Sequence, residues 1–136
     1  MEDEMKHIAA ICAAAMLAAT PVVAQDATRT TRVEFAKGAT SKAITGSVKG
    51  YDTAIYVIGA RAGQTMTVTL KTSNASNYFT VMAPAADEAL FDGTINGNSF
   101  KGKLPASGDY QVRVFLMRNA ARRNEVGKYT LTFGIK

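Results

Sequence analysis

Two short stretches hold the residues with the clearest chemical potential. Arg113, Arg118, Arg122 and Arg123 fall within eleven residues, with Asn119, Asn124 and Glu125 among them. A guanidinium is planar, permanently charged and able to grip a carboxylate or phosphate through two parallel bonds. Clustered Arg rather than Lys therefore favours anion recognition: a carboxylate on a protein partner, a phosphate, or lipopolysaccharide. The plainer alternative is a solvated basic loop paired with Glu125, worth only ~0–1 kcal/mol if exposed. The second stretch is Pro105-Ala106-Ser107-Gly108-Asp109-Tyr110, a turn feeding a strand. Gly108 permits a positive φ, and Ser107 or Asp109 can bond nearby backbone. The stretch reads as turn chemistry, with Tyr110 a core aromatic whose hydroxyl pins the loop. Alternatively, it reads as an exposed Ser–Gly loop that enters another molecule's cleft.

The segment before these elements predicts export. Met5-Lys6-His7 is a short basic start, Ile8 to Ala19 is an apolar run, and Pro21-Val22-Val23-Ala24 offers small residues before a cut at Gln25. Twelve apolar residues are too few for a stable span. The acidic Glu2-Asp3-Glu4 makes Met5 an alternative start, and Ile11 occupies the position where a lipid anchor on Cys12 would need a small residue. Residues 1–24 are thus expected to be a cleaved signal peptide, residues 25–31 a flexible leader and residues 32–136 one domain, with no stable membrane anchor. Cleavage leaves 15 basic and 8 acidic residues, a net +7, and removes the only Cys and the only His. Thiol nucleophiles, imidazole bases, disulfides and Cys/His metal sites then drop out, which closes much of enzymology. Asp87, Glu88 and Asp92 could still supply carboxylate acid/base groups, but in a turn without catalytic context they read as solvated loop charges, so no enzyme activity, metal or cofactor is expected.

The remainder reads as β throughout. Met66, Val68 and Leu70 alternate with threonines; Tyr110, Val112, Val114 and Leu116 alternate with Gln111, Arg113 and Phe115; Tyr129, Leu131, Phe133 and Ile135 repeat the pattern. Weaker strands are expected at 31–35, 43–48, 53–59, 78–82, 90–93 and 99–104. Lys37-Gly38, Lys49-Gly50, Ala62-Gly63, Ser73-Asn74 and Asn96-Gly97-Asn98 supply turns between them. About eight or nine short strands so spaced predict an all-β fold, a single antiparallel β-sandwich. Single helical turns are expected near 84–89 and 119–123.

The string Ser107-Gly108-Asp109-Tyr110-Gln111-Val112-Arg113-Val114, followed by Met117-Arg118-Asn119-Ala120-Ala121-Arg122-Arg123, resembles the signature of periplasmic inhibitors of g-type lysozyme. Gly50-Tyr51-Asp52, Ala62-Gly63-Gln64 and Ser73 to Phe79 fit the same family. The Ala-Gly-Gln and Gly-x-Tyr pieces are shared with small secreted sandwiches found beside peptidases, so a jelly-roll-like or pre-peptidase C-terminal-like fold is implied. The resemblance implies a periplasmic protein that plugs the cleft of a g-type lysozyme. Ser107, Gly108 and Tyr110 would insert, with Arg118, Arg122, Arg123 and, less directly, Arg113 beside them. The expected assembly is a monomer or weak homodimer.

A basic inhibitor would feel long-range repulsion from a basic target, which local complementarity at an acidic cleft must overcome. Similar proteins sometimes carry a label for DNA breakage and rejoining. That chemistry needs activating groups and a helical clamp which this chain lacks, so no specific nucleic acid is expected. The other reading is a periplasmic module without inhibition that binds a cell-envelope glycan, an anionic surface or an exported protein. Tyr78-Phe79 would then stack on sugar.

Overall fold

The computed structural model describes residues 27–136, so the expected signal segment lies outside the described residues. Nine strands form two sheets: β1 (Thr28–Arg32), β2 (Ser41–Lys49), β3 (Thr53–Ala60), β4 (Thr65–Thr72), β5 (Asn77–Met82), β6 (Ala89–Asp92), β7 (Ser99–Lys103), β8 (Gly108–Leu116) and β9 (Val126–Ile135). One sheet runs β1-β3-β8-β5-β6 and the other β2-β9-β4-β7. The alternating pattern does what its period requires. Met66, Val68 and Leu70 of β4, and Leu131 and Phe133 of β9, point inward against Val112 and Val114 of β8 and Phe79 and Val81 of β5, all essentially fully buried. Each such side chain contributes roughly 1.5–3 kcal/mol through removal from water.

The expected all-β sandwich is present, and its strand pairings are antiparallel apart from β1, which runs parallel to β3. That pairing also takes Thr28–Thr31 out of the expected leader. The backbone of Ala27 is already anchored to the Asp52 carboxylate (2.9 Å), and the Thr53 amide bonds the Ala27 carbonyl. Uniform polarity hid this strand, since β1 is an edge strand with every residue exposed. The helical turn expected near 84–89 is instead α1 (Gly93–Asn96), capped by the Asp92 side chain on the Thr94 amide. The other expected turn exists as α2 (Arg118–Arg122).

The two open sides of the sandwich are closed differently. On one side Phe91 of β6 stacks on Phe79 (5.1 Å) and meets Phe100 of β7 (5.3 Å). On the other side, Arg29 of β1 donates to the Ser47 carbonyl of β2 (2.8 Å). Beneath it the hydroxyls of Tyr56 and Tyr129 bond across the core at 2.7 Å. Burial, then the bond to Tyr56, pushes the Tyr129 phenol well above its ordinary range.

Candidate functional site

Strand β8 separates the two stretches singled out by their chemistry. Ser107 and Gly108 stand at its start, and Arg118 follows its end. Nine extended residues at about 3.3 Å each set them roughly 30 Å apart, at opposite ends of the molecule. The serine turn and the arginines, expected side by side in one cleft, do not adjoin.

At the serine end the side chains are committed internally. Ser107 Oγ accepts from the Ala62 amide (2.9 Å), tying the β3–β4 turn to the β7–β8 connection. Gly108 has φ +140 and lies against Pro84, a conformation and a space that exclude a side chain. Tyr110 is fully buried, and its hydroxyl accepts from the Ala106 amide (3.1 Å) while donating to the Ala106 carbonyl (2.6 Å). The ring is enclosed and its hydroxyl committed to the loop backbone, the geometry of a loop anchor. Asp109 receives both guanidinium nitrogens of Arg32 at 3.0 and 3.1 Å, and Arg32 reaches it across Gly59, where a Cβ would crowd the pair. That bond holds the Asp109 carboxyl below its usual range.

Arg113 sits elsewhere again. It is half-buried mid-strand on the outer face of the five-stranded sheet, and both its Nε (3.0 Å) and Nη2 (2.6 Å) donate to Gln111. Tyr78 and Phe115 pack in a tilted pair on the same face, centroids 4.4 Å apart, whereas Phe79 faces the core against Phe91. The Tyr78-Phe79 pair therefore offers sugar only one ring.

The arginine end is knitted from three connections between the sheets. Helix α2 turns Ala120 and Ala121 inward, both buried, and leaves Arg118 and Arg122 exposed four residues apart, hence on one face. The helix stops in a Schellman arrangement: the Glu125 amide bonds Ala120 O, the Asn124 amide bonds Ala121 O, and Asn124 takes φ 59. Glu125 then locks the end. Its carboxylate pairs with Arg123 (2.6 Å) and accepts from Asn74 Nδ2 (3.0 Å), and its carbonyl accepts from the Gly50 amide (2.9 Å). These bonds, Asn74's first and Arg123's second, lower the Glu125 pKa. Gly50, at φ +61, is pressed so close to Asn124 that a Cβ would lie 2.7 Å from its Oδ1. Tyr51 follows directly and is 47% exposed, whereas Tyr56, Tyr110 and Tyr129 are buried. Arg123 is thus neutralised, while Arg118 and Arg122 make no ion pair among the described residues.

No family model matches the chain. The inhibitor of g-type lysozyme of Escherichia coli (strain K12) is 34% identical over 108 residues, spanning 76% of this chain and 79% of that protein. The chain belongs to this inhibitor family. A crystallised family member, the Aeromonas hydrophila periplasmic lysozyme inhibitor of g-type lysozyme, is 42% identical with a TM-score of 0.75. The match covers 82% of this chain and all of that one. The corresponding Escherichia coli inhibitor, as a mutant, gives 34% identity and a TM-score of 0.66 over 81% and 100% of the two chains. The pre-peptidase C-terminal domain of a Bacillus anthracis collagenase shares the fold alone, at 15% identity and a TM-score of 0.52. Within this inhibitor fold Tyr51, which the sequence reading did not place among the candidate contacts, is exposed beside the arginine end. The signal was a Gly-Tyr-Asp turn between two strands, but only the contact of Gly50 with Asn124 shows that it borders α2.

Proposed function

We propose that this chain is a periplasmic, non-catalytic inhibitor of a g-type lysozyme, and that it acts through its arginine end. Arg118 and Arg122 carry the reading, as exposed cations on one face of a short helix fixed by Glu125 and bordered by Tyr51. A peptidoglycan-cleaving glycosidase needs a carboxylic acid to protonate the leaving oxygen. A guanidinium placed on that group holds it ionised and occupies its hydrogen-bonding positions, while Tyr51 supplies apolar contact and helps exclude substrate. Family membership supports the target class, and the committed side chains of the serine turn favour this end over the other. In this reading Ser107 and Gly108 shape a turn, and Arg113 and Arg123 lie outside the contact.

The test is a cell-wall clearing assay with residues 25–136 and a g-type lysozyme. Charge-assisted bonds contribute roughly 1.5–3 kcal/mol each. Arg118→Ala and Arg122→Ala are each expected to weaken inhibition about 10-fold or more with unchanged thermal stability, and Ser107→Ala to leave it nearly intact. Strong inhibition surviving the double arginine replacement, or lost only with Ser107, would place the contact at the other end.

A further inference from the structure

The outer face of the four-stranded sheet has a composition the inhibitory reading does not use. In β2, β9, β4 and β7 there is no acidic residue. Cross-strand pairing lays the outward residues in rows: Ser41–Gly134–Thr67–Lys101, then Ala43–Thr132–Thr69–Ser99, then Thr45–Thr130–Lys71. Ser47 pairs with Lys128 at one end, and at the other Thr65 lies between Lys103 and Lys136. Six exposed lysines, Lys49, Lys71, Lys101, Lys103, Lys128 and Lys136, thus surround a centre of threonine and serine hydroxyls. None of the six makes an ion pair among the described residues. Two recesses punctuate the face. One of about 650 Å³ runs beside Thr45, Lys71, Lys128 and Thr130. Another of about 320 Å³ lies between Lys101 and Lys136, where Gly134 contributes no side chain beside Thr67.

We propose that this lysine-rimmed, hydroxyl-centred sheet face docks the protein on the headgroup plane of an anionic phospholipid bilayer. The face is roughly 15 by 25 Å, from four strands about 4.8 Å apart. Its charge is spread over its perimeter, as a plane of phosphates can match and a single bound anion cannot. Flexible ammonium groups can each settle on a separate phosphate, and the hydroxyls donate to phosphate or glycerol oxygens. A glycan would call for an exposed ring to stack on, and the outward residues of these strands include no aromatic. Among the described residues no helix is long and apolar enough to cross a membrane, so attachment through this face is peripheral and salt-sensitive. With the sheet lying flat, the connections at both strand ends, α2 included, remain open to solvent. The proposal does not depend on the lysozyme reading.

The sandwich of residues 25–136 serves for the test, since a crystallised relative spans no more than this unit. Co-sedimentation is measured with vesicles of phosphatidylcholine alone and of phosphatidylcholine mixed with phosphatidylglycerol. The expected result is binding to the mixed vesicles only, lost at about 1 M salt, where the Debye length is about 3 Å. A lysine near an anionic surface is worth about fivefold in partitioning, so Lys71→Gln/Lys101→Gln/Lys128→Gln should bind on the order of 100-fold less, and Lys101→Gln alone about fivefold less. Arg61→Gln/Arg118→Gln/Arg122→Gln removes the same charge elsewhere and should cost far less. Equal losses in the two triple variants, binding to phosphatidylcholine alone, or tighter binding to duplex DNA than to anionic vesicles would each overturn the assignment.

Discussion

Replacing Tyr110 with Phe separates a structural role from a contact role, because it removes one oxygen and leaves the buried ring in place. That oxygen serves both backbone groups of Ala106, at 3.1 and 2.6 Å. A neutral hydrogen bond contributes about 0.5–1.5 kcal/mol net, so losing two costs roughly 1–3 kcal/mol, with the lower half favoured because water can reach the half-buried Ala106. In a domain of this size about 1 kcal/mol lowers the melting temperature by about 4 °C, so Y110F should melt some 4–8 °C below the parent. Urea titration should show a lower midpoint at an unchanged slope, the sign of lost stability without a changed unfolded state. Inhibition of lysozyme at room temperature should match the parent, because Arg118 and Arg122 lie at the far end of β8. A variant of parental stability that no longer inhibits would refute the assignment of Tyr110 to the loop and reinstate it as a contact.

Two further outcomes follow from the same geometry. Gly46→Ala would put a Cβ 2.7 Å from the Tyr129 hydroxyl and 3.1 Å from that of Tyr56. Overpacking of this kind costs roughly 1–3 kcal/mol, and calorimetry should record it together with a changed near-ultraviolet tyrosine signal. Glu125 and Asp109 have folded pKa values held below their unfolded ones, Glu125 by Asn74 and then Arg123, and Asp109 by its bond to Arg32. Their contribution is therefore complete above the ordinary carboxylate range and disappears as pH falls through the folded values. Melting temperature should hold steady from about pH 5 to 8 and decline below about pH 4, and Glu125→Gln should make that decline shallower. An equally steep decline in the variant would show that Glu125 does not help to hold the arginine loop.

Most of the strand content was legible in local pattern. Alternation of large apolar residues with Thr, Arg or Gln identified β4, β8 and β9 to within three residues at their starts, because half-buried strands must alternate. The same logic missed the beginning of β1, whose residues are all exposed and therefore carry no period. It also misplaced α1, a single turn decided by the Asp92 cap and by Gly93 packing under the Phe79 backbone, where a Cβ would sit 2.6 Å from the carbonyl. The arginine cluster was visible as composition. That Arg123 is neutralised by Glu125 while Arg118 and Arg122 share an open face was not.

The chain's own order of residues settled the class of structure and narrowed the chemistry it can support: period-two apolar runs oblige strands to bury one face, and residues 25–136 contain no Cys or His, which leaves out thiol and imidazole chemistry. Which of its conspicuous residues act together was decided only by folding. Ser107 and Arg118 are near neighbours along the chain, yet an extended strand converts those few residues into the length of the molecule. Six lysines scattered from position 49 to 136 are gathered onto one face because β2, β9, β4 and β7 pair in that order. Sequence distance and spatial distance diverge most in β structure, where hydrogen-bonded partners come from remote segments and a single strand carries its two ends far apart.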